Sequence, residues 1–359
     1  NVMIEIGRKM VLTGEIMPEN ATDWVLNWTS SDESVATVSA SGEVSAVAAG
    51  TATITVKVAN TNKRATCTII VPVAFNNEEF EKQVRLLIGK PDGPIYKTNL
   101  AGITSLHLSG ENITDINGIE NFVDLEVLGI RFTKVSEING LKGLENLMDL
   151  DLGDNKISDI GSLADLVNLN ILRLGGNNIS DISPLRKLTN LTILDLHSNG
   201  ITDIDALSGL IHLTQLELSS NVISEISALR ELNELTYLDL MSNQINDIRP
   251  LENLIHLQKL VLYGNQIRDI SALSGMTALI TLITLILDNN TITDVSSLSG
   301  LESLLSLSLS YNNITDISPL AALSKLKSLN LNNNQVRDVT VLAEMPSLIY
   351  IDVSNNPIE

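Results

Sequence analysis

Three carboxylates, Asp195, Glu217 and Asp239, recur 22 residues apart, each inside a stretch that alternates apolar and polar residues. On neighbouring strands such acids would stand in a row roughly 5 Å apart. That spacing permits paired acid–base chemistry where a pocket raises one pKa. It also permits weak Ca²⁺ binding through oxygen ligands. The alternating stretches read as an open face with no such pocket, so catalysis is not expected and no metal or cofactor is assigned. Of the histidines, His107 and His197 fall at outward strand positions four repeats apart, roughly 19 Å, too far to share an ion or a substrate atom. His212 and His256 occupy equivalent positions between repeats and read as structural. Cys67 is the only cysteine, which excludes an intrachain disulfide and a cysteine cluster for zinc. It lies in the strand-like Ala65-Thr66-Cys67-Thr68-Ile69 and reads as a small core residue. No nucleophile motif and no glycine-rich phosphate loop after a strand is present. The chain therefore reads as a non-enzyme.

The spacing of those acids belongs to a longer pattern. Leu-x-Leu-x-x-Asn recurs, with its asparagines at Asn155, Asn177, Asn199, Asn221, Asn243, Asn265, Asn290, Asn312, Asn334 and Asn356. The interval is 22 residues except for one of 25 before Asn290, and Thr133 and Glu111 hold the same frame upstream, giving twelve repeats. Within one repeat, Leu172-Arg173-Leu174 alternates as a short strand with Arg173 outward. Asn177 ends that strand, where its amide can both donate to and accept from backbone groups left by the bend. The segment Asp181-Ile182-Ser183-Pro184-Leu185 is too interrupted for a full helix and predicts a turn or 3₁₀ piece on the far side. The recurring Asp159, Asp181, Asp203, Asp247, Asp269, Asp294, Asp316 and Asp338 suit capping of that turn. A single repeat cannot bury its aliphatic side chains, so neighbours must stack into a solenoid. The 20–29-residue period is that of leucine-rich repeats. The longer interval comes from the tandem Leu279-Ile280-Thr281-Leu282-Ile283-Thr284, which predicts a bulge at the entry to that strand.

Residues 1–73 lack this frame. Their alternating runs, Ser34-Val35-Ala36-Thr37-Val38 and Thr51-Ala52-Thr53-Ile54-Thr55-Val56, separated by turns such as Ser41-Gly42, predict a β-sandwich with Trp28 in its core. Residues 74–100 place Phe80, Val84 and Leu87 at helical spacing before Gly89, Pro91 and Gly93, and predict a cap over the first coil. Residues 101–359 are the repeats. The fold class is thus β-rich and multidomain: an immunoglobulin-like sandwich, a helical cap, and a right-handed solenoid with a parallel concave sheet and a turn or 3₁₀ convex side.

The formal charge of −20 excludes nucleic-acid binding by phosphate neutralisation and disfavours anionic lipid. No apolar run approaches the ~20 residues needed to span a bilayer.

Two segments resemble known families. Trp28-Thr29-Ser30-Ser31-Asp32-Glu33-Ser34-Val35-Ala36-Thr37-Val38, Gly42-Glu43-Val44 and Ala48-Ala49-Gly50-Thr51-Ala52-Thr53-Ile54 resemble the bacterial immunoglobulin-like domain, group 2. The repeats, as in Asn312 to Leu320, resemble the 22-residue internalin type, and Val84 to Ile95 resembles the cap that precedes such repeats in Gram-positive surface proteins. The resemblance implies a secreted, wall-attached or surface-layer bacterial protein that binds host or environmental partners, with the immunoglobulin-like domain as spacer; the chain is expected to be monomeric and to sit at the cell surface or cell wall. Glu111 and Thr133 depart from the ladder asparagine, and no terminal cap or wall anchor is visible by Glu359, so the natural chain is expected to continue.

Ligand-binding side chains are expected on the concave strands, two, four and six residues before each ladder position. Acids dominate first: Asp149, Asp151, Asp154, Asp195, Glu217 and Asp239. Apolar and aromatic residues follow: Tyr237, Met241, Val261, Tyr263 and Ile286, with Tyr311 beside them. This composition suits a protein partner, with the acids steering its basic region. Two alternatives stay open: a targeting or spacer region of a larger secreted enzyme, and a structural or glycan-binding envelope component.

Overall fold

The computed structural model describes residues 1–17, 24–278 and 282–359. They form two compact units, residues 1–108 with 112–125, and residues 109–111 with 126–359.

The first unit opens with seven strands: β1 (Val2–Met3), β2 (Lys9–Val11), β3 (Leu26–Ser30), β4 (Ala36–Val38), β5 (Glu43–Ala46), β6 (Gly50–Val58) and β7 (Arg64–Val71). They make one sheet of order β1-β7-β6-β3 and a second of order β2-β5-β4. Alternation drives both. In β6 the side chains of Ala52 and Ile54 are buried, and Ile69 and Val71 of β7 join them with Val35, Ala36, Val44 and Ala46. Trp28 and Cys67 pack partly buried against this core, and Cys67 is a free thiol.

Helix α1 (Glu78–Leu87) starts where Asn77 Oδ1 accepts from the Phe80 amide at 2.9 Å, satisfying one of the donors a helix start leaves open. Phe80 and Val84 are buried, whereas Leu87 is half exposed at 50 % and so lies off the buried stripe that its spacing predicted. Arg85 ends the helix by pairing with Glu81 and donating to the Lys90 and Gly93 carbonyls. A short α2 (Lys97–Leu100) and strand β8 (Ser105–Ser109) follow, β8 burying Leu106 and Leu108.

The second unit carries β9 (Val127–Arg131), β10 (Asp149–Asp151), β11 (Ile171–Arg173), β12 (Ile193–Asp195), β13 (Gln215–Glu217) and β14 (Tyr237–Asp239). It continues with β15 (Lys259–Val261), β16 (Thr284–Ile286), β17 (Ser306–Ser308), β18 (Ser328–Asn330) and β19 (Tyr350–Asp352). Strands β8 to β19 form a twelve-stranded parallel sheet in strict chain order. Leu172, Leu194, Leu216 and Leu238 stack in register with no exposure, so every coil is the lid of its neighbour.

Asparagines close each coil. The Asn177 Nδ2 donates to the Leu174 carbonyl of its own coil at 3.0 Å and to Leu152 of the preceding coil at 2.9 Å, while its Oδ1 accepts from the Ile157 amide at 3.0 Å. The pattern repeats at the other nine asparagines, except that Asn155 Oδ1 accepts from the Thr133 hydroxyl, which takes the ladder position of the coil before. Opposite the sheet the chain runs through 3₁₀ turns such as Ser183–Lys187. In the second unit the residue preceding each described turn is Ile or Val, and an acid stands one residue earlier, Asp at most coils and Glu137 and Glu225 at two. Asp181 Oδ1 accepts from the Ser183 amide at 2.8 Å, the bond that also holds its carboxyl below the usual range.

The first copy of the tandem, Leu279-Ile280-Thr281, lies outside the described residues. Beyond it Leu282 is buried, and β16 pairs with β15 in the common register at a 25-residue offset.

Candidate functional site

The outward face of the second unit's sheet divides into sectors by charge compensation. At its start the acids are neutralised from within. Arg131 reaches Asp154 at 2.9 Å and Asp151 at 3.6 Å, and Arg173 reaches Asp149 at 3.2 Å. These three aspartates therefore offer a partner little free charge.

The next row differs. Register places Asp195, Glu217 and Asp239 side by side on β12, β13 and β14. Among the described residues no Lys or Arg makes an ion pair with any of them. Asp195 Oδ1 lies 2.7 Å from His197 Nδ1 and accepts the His197 amide at 3.0 Å. Asp239 accepts the Met241 amide at 2.9 Å and the Tyr237 hydroxyl at 3.3 Å. Burial, with Asp195 and Asp239 on either side, pushes the Glu217 carboxyl above its ordinary value. That corrects the reading of this face as unable to raise a carboxylate: neighbouring strands and like charges do so without a closed pocket. Burial first, then Asp239 and Glu217, likewise push the Tyr237 hydroxyl up. Lys259 stands 4.9 Å from the Tyr237 ring centre.

Beyond the acids the face turns apolar. Tyr237, Met241 and Ile286 are half-buried, Tyr263 is 40 % exposed and Tyr311 is 58 % exposed. Val261 stands apart from the expected set of exposed side chains: it is 5 % exposed, because its short side chain sits in register between Asp239 and Ile286.

Tyr311 occupies an unusual backbone position. The residue before each ladder position takes a left-handed conformation, with φ of 69° at Gly176, 52° at Asn289 and 54° at Asn333. Glycine and asparagine tolerate that region, whereas a bulky aromatic is disfavoured there. Tyr311 has φ 52° and Phe132 φ 53°, and both rings are exposed. Phe132, with Arg131 5.0 Å from its ring centre, was not singled out from the sequence. Its signal was an aromatic in the frame position that elsewhere holds Gly, Asn, Asp or Ser.

Comparison with known proteins fits this architecture. Residues 1–69 match the bacterial Ig-like domain (group 2) family. Leucine-rich-repeat families match residues 145–187, 188–245, 233–275, 280–322 and 302–344. An internalin (InlF) of Listeria monocytogenes is 33 % identical, with a TM-score of 0.70, over 79 % of this chain and 91 % of that one. The chain belongs to the internalin-type leucine-rich-repeat proteins. The functional domain of InlJ, also from Listeria monocytogenes, shares 25 % identity with a TM-score of 0.72, over 79 % of this internalin-type chain and 61 % of that one. InlJ carries a cysteine ladder; here asparagines hold the ladder. The sandwich is 42 % identical over 69 residues to an Ig-like virion protein of Serratia phage KSP90. The internalin-type chain spans about a quarter of that relative's length, 27 %. Repeat architecture of this kind supports a binding role generally. Among the described residues no helix is long and apolar enough to cross a membrane.

Proposed function

We propose that this internalin-type chain is a non-enzymatic adhesin, secreted or held at a bacterial surface, that takes a protein partner on the outward face of its repeat sheet. The observation that carries the reading is Tyr311, an aromatic ring held in solvent at a backbone position suited to Gly or Asn. Strain retained in this way marks functional positions. Tyr263, Met241, Ile286 and Tyr237 extend the patch across neighbouring strands, and aromatics with methionine are the side chains that anchor interfaces. The uncompensated Asp195, Glu217 and Asp239 border it and favour a basic region on the partner. The immunoglobulin-like domain acts as spacer, and its likeness to a virion protein supports an exposed setting.

The test is a pull-down from cell-surface and matrix extracts with the full chain. A variant carrying Tyr237→Ala, Tyr263→Ala and Tyr311→Ala is expected to fold, by circular dichroism, and to lose the captured protein. Reversing charge at Asp195 and Glu217 is expected to slow association with that protein. Equal capture by wild type and the triple variant would remove the site from this face.

A further inference from the structure

We propose that Asp195, His197 and Glu217 form a binding site for a divalent transition-metal ion, with Zn²⁺ as its reference ligand. The site rests on geometry within the repeat sheet and does not depend on the partner reading.

One donor atom from each of the three side chains lies within 4.8 Å of the other two. Ligands bound at about 2.0–2.2 Å stand roughly 3.3–3.6 Å apart in a tetrahedral site, so side-chain rotations that draw the donor atoms about 1 Å closer complete the set. Three features make this more than a chance gathering. The first is position: Asp195 and Glu217 are register partners on β12 and β13, and the His197 amide fixes the Asp195 carboxylate. The second is room. Gly175, at the frame position His197 holds one coil later, has no positive φ to account for it. A Cβ there would collide with His197 Nδ1 and Cε1 and come within 3.0 Å of Asp195 Oδ1. The glycine makes the space in which the imidazole lies beside Asp195.

The third feature is charge. Arg131 and Arg173 neutralise the acids of the preceding strands, but among the described residues Asp195, Glu217 and Asp239 have no Lys or Arg ion-pair partner. A dication supplies what the row lacks. An imidazole with two carboxylates suits zinc and its neighbours, whereas Ca²⁺ takes six to eight oxygen ligands. Three protein ligands leave a coordination position for water.

The experiment titrates the full chain, stripped with chelator and desalted, with Zn²⁺ by calorimetry, and with Co²⁺ by visible absorption. Wild type is expected to bind one Zn²⁺ and to develop a Co²⁺ ligand-field band. His197→Ala and Glu217→Gln are each expected to weaken Zn²⁺ binding at least tenfold. Gly175→Ala keeps all three ligands and is expected to weaken it about tenfold by displacing the imidazole, in the range seen when groups that orient ligands are removed. His107→Ala, with native circular dichroism like the others, is expected to bind as wild type does. Absence of Zn²⁺ binding by wild type, or undiminished binding by His197→Ala, would overturn the site. Failure here leaves the tyrosine pull-down unaffected, so the two proposals fall separately.

Discussion

At Tyr311 the proposed binding role is set against stability. The left-handed region costs a non-glycine residue about 1–2 kcal/mol, and Asn relieves part of that cost. Tyr311→Asn is therefore expected to raise the unfolding free energy by about 1 kcal/mol in a urea titration. Glu217 gives a second prediction through its raised carboxyl. A folded-state value above the unfolded one means that the native state holds its proton to higher pH. Stability from this group is then fully present below the unfolded glutamate range and is lost as pH rises through the folded value. Glu217→Gln should thus have a higher Tm than wild type at pH 7, and the gap should close as pH falls towards 4. A constant gap across that range would assign the effect to packing. Tyr311, one residue before a ladder position, falls out of strand alternation and is exposed by its left-handed backbone, whereas the period-two pattern of the sequence placed Glu217 outward. That pattern did not reveal the burial of Val261 or the rise at Glu217, since both arise from neighbours 22 or 25 residues away whose side-chain reach only the assembled sheet defines.

Elements in this protein are held by what passes between coils. Asn177 satisfies backbone groups of two coils at once. In Asn177→Ala those buried groups lose their partners at about 1–3 kcal/mol each, so a Tm drop of several degrees is expected by calorimetry. Asn356, part-buried at the last ladder position, should cost less when replaced by Ala. An equal loss at both would show that burial does not set the cost. Strand, ladder and turn were all legible from spacing, because each obeys a local period. Finer placement was not. The recurrent Asp stands one residue ahead of the residue that caps the 3₁₀ turn, and α1 leaves Leu87 half exposed, outcomes decided by how each element seats on its neighbours.

At the scale of the molecule, the period dictated the architecture and the outward positions were left free to vary. That freedom is why the family is readable while the ligand is a matter for experiment: a repeat sheet specifies a scaffold, and its face carries the recognition. The chain's excess of acid is general, and on the row from Asp195 to Asp239 no Lys or Arg among the described residues makes an ion pair with the carboxylates, as Arg131 and Arg173 do with Asp149, Asp151 and Asp154. Anchoring of a protein by the exposed tyrosines beside this row is the proposal on which the binding role turns. Its most direct measurement is the affinity of the captured partner for wild type, for Tyr311→Asn and for Val222→Asn, an exposed apolar residue outside the aromatic patch. Tyr311→Asn, though more stable, is expected to bind at least tenfold more weakly, while Val222→Asn is expected to bind as wild type does. Wild-type affinity in Tyr311→Asn would contradict the proposal.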